Sequence, residues 1–153
     1  MTTHTLTKSL FSVLLLAVLN MPSAQAASED ELLEPEKAFA LSVRARDAQT
    51  LEATWTIASG YYMYREKFKF ESLDPAVQLK PAQIPPGIRK RDEFFGEVET
   101  YRNTVKVVLP VTRGHNGSQT VKLRITSQGC ADLGVCYPPH TREFNVTLPA
   151  AAS

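Results

Sequence analysis

The chain has 153 residues, with 17 Lys and Arg against 16 Asp and Glu and a formal net charge of +1. That near-balance gives no electrostatic footprint for nucleic acid or for an anionic membrane surface as a partner. The length suits one domain with a modest core.

The first segment reads as an export signal. Lys8 is the only charged side chain before an apolar run from Leu10 to Leu19, broken by Ser12, and Ala24-Gln25-Ala26 fits the small-x-small cleavage rule. The run is too short to cross a bilayer, which takes roughly 20 residues. Residues 1–26 are therefore expected to be a cleaved signal peptide and 27–153 a mature domain. No second apolar segment follows, so a membrane span is not expected after signal removal.

Beyond an acidic N-terminal stretch that predicts a short turn or irregular segment, period-two alternation dominates. Phe39, Leu41 and Val43 suggest a first strand, and Leu51, Ala53, Trp55 and Ile57 a second, with Trp55 in the core. Phe68 and Phe70 suggest another. Val105, Val107, Leu109 and Val111 share one face of a further strand; so do Val121, Leu123 and Ile125, and then Phe144, Val146 and Leu148. Turn signals separate these runs: Asp47-Ala48-Gln49, Ser59-Gly60, Asp74-Pro75, Pro85-Pro86-Gly87 and Gly114-His115-Asn116-Gly117. Asn116-Gly117 reads as a hairpin turn, and the C-terminal Ala150-Ala151-Ala152-Ser153 as a frayed tail. About seven or more short strands, each with one apolar face, predict an all-β, immunoglobulin-like antiparallel sandwich.

Cys130 and Cys136 are the only cysteines. They fall between the strand through Ile125 and the strand around Phe144, so both are expected to flank the tip of one hairpin and to approach within bonding distance. In an oxidising compartment two such thiols can pair. Closing a loop of about seven residues contributes only about 2–2.5 kcal/mol through chain entropy, and short, exposed loop disulfides are the more reducible ones. Three uses stay open on spacing alone: a structural bridge in a non-enzymatic binding module, a working redox couple, and a two-thiolate site for a soft ion such as Cu(I). Neither His115 nor His140 stands at a recognisable ligand spacing, and His140 reads as a solvated turn residue.

The string Gly129-Cys130-Ala131-Asp132-Leu133-Gly134-Val135-Cys136-Tyr137-Pro138-Pro139 resembles the active-site hairpin of the N-terminal periplasmic domain of the DsbD family, thiol:disulfide interchange proteins of Gram-negative bacteria. Asp92-Glu93-Phe94-Phe95-Gly96 resembles that family's cap loop, and Gly60-Tyr61-Tyr62-Met63-Tyr64-Arg65 is similar to a third family segment. The likeness runs from roughly Pro35 to Leu148.

The resemblance implies an immunoglobulin-like domain whose cysteines pass electrons to oxidised periplasmic thiol proteins. It implies Cys136 as the nucleophile that forms mixed disulfides and Cys130 as the resolving thiol. Phe94 becomes the lid over the sulfurs, with Phe95 where the family often has Tyr. Asp92 and Glu93 become an acidic pair beside the thiols, and Tyr62 and Tyr64 aromatic neighbours. Carboxylates at Asp92, Glu93 and Asp132, if close, would disfavour a thiolate, and Gly96 would serve as a hinge for the lid. The implied donor is a thioredoxin-like domain or a membrane thiol reductase. The implied acceptors are a disulfide isomerase of the DsbC or DsbG type and a cytochrome c maturation thioredoxin. No cofactor beyond the disulfide and no metal are implied. Complete family proteins continue into a multi-span membrane domain and a C-terminal thioredoxin-like domain that these 153 residues do not include, which leaves the electron source open between a separate reductase and a longer chain.

Overall fold

A computed structural model of the protein describes residues 32–152; the expected signal peptide lies outside the described residues. Among the described residues twelve strands follow a short α-helix, α1 (Pro35–Ala38), whose first turn is set by Pro35, and one 3-10 turn covers Arg65–Lys67. The strands are β1 (Phe39–Asp47), β2 (Thr50–Ile57), β3 (Tyr61–Tyr64), β4 (Lys69–Ser72), β5 (Val77–Leu79), β6 (Ile88–Asp92), β7 (Gly96–Tyr101), β8 (Thr104–Arg113), β9 (Gln119–Ser127), β10 (Gly129–Ala131), β11 (Val135–Cys136) and β12 (His140–Leu148). All pairings are antiparallel, in three sheets ordered β1-β2-β8-β5, β11-β10-β3-β7-β6 and β12-β9-β4. The result is the all-β, immunoglobulin-like sandwich that the alternation implies. Among the described residues no helix is long and apolar enough to cross a membrane.

The alternating faces meet in one core. Leu51, Ala53, Trp55, Val105, Val107, Leu109, Val121, Leu123 and Ile125 are all buried within it. Trp55 is fully buried, with its ring stacked on Phe68 at 4.5 Å between centroids. The Asp47 turn forms as its sequence suggests, the Asp47 carboxylate accepting the Gln49 N–H at 2.8 Å.

Three expectations are corrected. Asn116-Gly117 does not turn a hairpin, because β8 and β9 belong to different sheets and the segment crosses between them. The near C-terminus is held, with the Ala151 N–H donating to the Asn116 carbonyl at 2.8 Å. His140 opens β12 opposite Ser127, and its Nε2 lies 3.1 Å from the Glu36 carboxylate; an α1 residue covers it where a free turn was expected.

What positions the site is β3. Strand residues alternate between faces, and here both faces are covered. Tyr61 and Met63 join the main core, while Tyr62 and Tyr64 join a second cluster with Val98 and Cys130, against which Cys136 packs.

Candidate functional site

β9 and β12 pair along their whole length, and the chain between them leaves their sheet to form a small hairpin of its own. There β10 pairs with β3 on one side and β11 on the other. Cys130 and Cys136 face each other directly across β10 and β11, their Cα atoms 4.0 Å apart, and their sulfurs are joined in a disulfide. The turn Asp132-Leu133-Gly134 closes the hairpin, with Gly134 at φ 84° and its N–H donating to the Ala131 carbonyl at 3.0 Å. A three-residue turn ending in a left-handed glycine is a standard hairpin closure.

The two cysteines are not equivalent. Cys130 is fully buried, whereas Cys136 is half-buried on the outermost strand of its sheet. The expectation of an exposed loop disulfide is thus met only partly, at Cys136, and not at Cys130. Gly129, just before Cys130, permits this burial. A Cβ there would sit 2.5 Å from the Phe39 ring and from the Tyr62 carbonyl oxygen, so only glycine brings β10 this close to β3.

Beneath the buried sulfur lies a chain of polar groups. The Tyr64 hydroxyl oxygen is 3.3 Å from Cys130 Sγ and donates to Asp92 Oδ2 at 3.0 Å; the Tyr62 hydroxyl donates to the same oxygen at 3.4 Å. The other carboxylate oxygen, Oδ1, accepts the N–H groups of Phe94 at 2.8 Å and Phe95 at 3.2 Å. One buried carboxylate thus shapes the loop above it and fixes the tyrosines beside the sulfur. Burial by itself would raise the Asp92 carboxyl. The Phe94 N–H, the Tyr64 hydroxyl, the Phe95 N–H and the Lys90 charge outweigh it and hold the group below its ordinary range. Burial first, then the Tyr62 and Asp92 hydrogen bonds, push the Tyr64 hydroxyl far above its usual value, so it stays a proton donor.

The expected cap loop is the turn between β6 and β7, and its members separate by role. Gly96, at φ 76°, takes the left-handed conformation that lets the chain reverse opposite Asp92. Phe95 packs edge-on against Tyr64 at 4.9 Å, with Lys67 Nζ 4.2 Å from its ring centroid. Phe94 is 45% exposed. The two acids expected as a pair divide: Asp92 is buried, and Glu93 is exposed on the turn. Asp132 is engaged by Arg102, which holds its carboxyl below the ordinary range.

Sequence reasoning missed two cations that flank Tyr62. Lys90 Nζ lies 3.7 Å from the Tyr62 ring centroid and the Arg102 guanidinium carbon 5.2 Å from it, within cation–π range. It also missed Val98 on β7, which closes the small cluster. Lys90 stands two residues before Asp92 on β6, which is the one signal available for it; the placement of Arg102 depends on strand order alone. Among the described residues no group of His, Cys, Asp and Glu is arranged to hold a metal ion.

Comparison with known proteins bears directly on this hairpin. The family model described as "Thiol:disulfide interchange protein DsbD, N-terminal" matches residues 29–148. The chain belongs to the DsbD N-terminal domain family. DsbD of Ralstonia nicotianae is 43% identical over 141 residues, covering 92% of this chain and 22% of the relative. DsbD 2 of Pseudomonas aeruginosa is 40% identical over 128 residues, covering 82% of this chain and 20% of the relative. The chain thus spans about a fifth of the length of the curated relatives it matches. The crystal structure of the Neisseria meningitidis DsbD N-terminal domain in its reduced form superposes with a TM-score of 0.69 at 37% identity, covering 79% of this chain and 94% of that one. A complex between the DsbD and PilB N-terminal domains of the same organism matches with a TM-score of 0.64 at 37% identity, covering 75% and 87% of the two chains.

Proposed function

We propose that this DsbD N-terminal domain is a periplasmic thiol–disulfide exchange module that carries two electrons at a time through Cys130 and Cys136. One observation carries the reading: the disulfide joins a buried sulfur to one at the sheet edge. In the reduced protein the Cys136 thiolate attacks a partner's disulfide, forming a mixed disulfide and releasing one partner thiolate. The Cys130 thiolate then attacks the Cys136 sulfur, breaking the mixed bond and releasing the second partner thiolate. The partner gains two electrons and, once protonated, two thiols, and the Cys130–Cys136 bond is restored. Cys136 is the nucleophile because it is the reachable sulfur; Cys130 resolves because it is buried beside it.

The electron donor in this reading is a thioredoxin-like domain or a membrane thiol reductase. Acceptors are of the same thioredoxin-like chemistry, including a DsbC- or DsbG-type isomerase and a cytochrome c maturation thioredoxin. The complex of the meningococcal DsbD N-terminal domain with a PilB N-terminal domain supports docking of a second protein domain onto this fold. Phe94 acts as a lid that limits small oxidants, with Gly96 as its hinge, Phe95 and Tyr64 as its seat, and Asp92 as the acceptor that shapes its backbone.

Trapping separates the two cysteine roles. Cys130→Ser in periplasmic extract should accumulate mixed disulfides through Cys136, and Cys136→Ser far fewer. Equal trapping by both variants would reverse or abolish the assignment. A bond that no thioredoxin-like reductant opens would leave a binding module with a structural bridge.

A further inference from the structure

The turn of the redox hairpin is anchored at its first residue. Asp132, the first residue of its turn, is held twice. Its N–H donates to the Gly60 carbonyl at 2.8 Å, and its carboxylate receives both terminal nitrogens of Arg102, Nη2 to Oδ1 at 2.7 Å and Nη1 to Oδ2 at 3.0 Å. Arg102 Nη1 also donates to the Tyr61 carbonyl at 3.3 Å. Arg102 sits in the tight turn between β7 and β8, next to Asn103 at φ 61°. A single guanidinium therefore ties the hairpin turn to β3 and to the β7–β8 turn. The Cys136 arm has β10 as its one strand neighbour and is held just past the cysteine, where the Tyr137 N–H donates to the Gly129 carbonyl at 3.0 Å and Gln128 Nε2 donates to the Tyr137 carbonyl at 2.9 Å.

We propose that Arg102 is a positioning residue for disulfide exchange: its two-pronged grip on Asp132 fixes the Cys130 arm while Cys136 engages a partner. Cys130 then stands ready for the return attack. The proposal rests on the reversible disulfide argued above. Holding a nucleophile in place raises its effective concentration at the target atom, and a bidentate guanidinium–carboxylate pair adds geometric definition that a point charge lacks. The pair is open to solvent, with side chains 42% and 47% exposed, so its contribution to global stability is small. Its effect falls on local geometry, where the hairpin must close repeatedly.

The test is a glutathione equilibrium of the full chain. Protein disulfide plus two glutathione thiols gives protein dithiol plus glutathione disulfide, with two electrons and two protons moving to the cysteines. Arg102→Gln and Asp132→Asn should each shift this equilibrium towards dithiol by about threefold, which is about 15 mV for a two-electron couple. The double variant should shift it no further, because one interaction has been removed from either side. Arg102→Lys should recover only part of the shift. In all four the melting temperature of the oxidised protein should fall by more than that of the reduced protein, because a shift towards dithiol is by linkage a loss of oxidised-state stability relative to the reduced state. An unmoved equilibrium in Arg102→Gln, or shifts in the two single variants that simply add, would overturn the proposal. A lower melting temperature with an unmoved equilibrium would do the same by showing a purely structural role. If the wild-type bond never opens, the shuttle reading falls as well; if it opens and the variants match it, this proposal alone falls.

Discussion

The two sides of β3 use aromatic rings for opposite purposes. On one side Tyr61 and Met63 join Trp55, Phe68 and the valines of β8 in a large apolar core. On the other, Tyr62 and Tyr64 turn their hydroxyls towards the Asp92 carboxylate and the Cys130 sulfur. The first cluster can lose a ring only at the expense of folding. The second is small, rich in polar partners and coupled to a bond that the proposed function breaks and remakes. Placing both on one four-residue strand lets the large core hold the small one rigid.

The strongest way to break the contrast is Trp55→Ala. Removing a fully buried ring stacked on Phe68 should cost about 3–5 kcal/mol in urea unfolding of the oxidised protein, while the glutathione equilibrium stays in place. A large redox shift in that variant would show that the clusters are not separable.

Asp92→Asn sharpens the comparison from the other side. The carboxylate is buried and accepts four hydrogen bonds, so its loss should cost about 1–2 kcal/mol at neutral pH. The sign with pH follows from the lowered folded value. The stabilisation is complete above the unfolded carboxyl value, near pH 4, and is lost as pH falls through the lower folded one. The gap between wild type and Asp92→Asn should therefore narrow below about pH 4; a constant gap across an acid titration would contradict the charge-based account.

The smallest effect on stability belongs to Phe94→Ala, within about 0.5 kcal/mol for so exposed a ring. Its consequence should be kinetic, with faster oxidation of the reduced protein by hydrogen peroxide. An unchanged rate would remove the lid role.

How much of this was legible depended on whether a strand has one covered face or two. β1, β2, β8, β9 and β12 each pack one face on the main core, so their apolar positions alternate and the sequence announces them. β3 reads as four apolar or aromatic residues in a row, because the sulfur cluster covers its second face. β6, Ile88-Arg89-Lys90-Arg91-Asp92, lies at a sheet edge with only Asp92 buried, and no apolar period marks it. At the site, the cysteines, Tyr62, Tyr64, Asp92 and the Phe94-Phe95-Gly96 turn were recoverable from family likeness. Arg102 was not. It meets Asp132 across 30 positions of sequence, through a neighbour relation that exists only once β10 has left the β9–β12 sheet to join β3.

The brevity of β11 has a further effect on how the molecule meets other chains. A strand of two residues at the rim of a five-stranded sheet leaves hardly any unpaired amide row for another chain to extend. The border that carries the half-buried sulfur is thus too short to recruit copies of itself into fibrils, and under the proposed function contact there is left to sulfur chemistry rather than to backbone pairing.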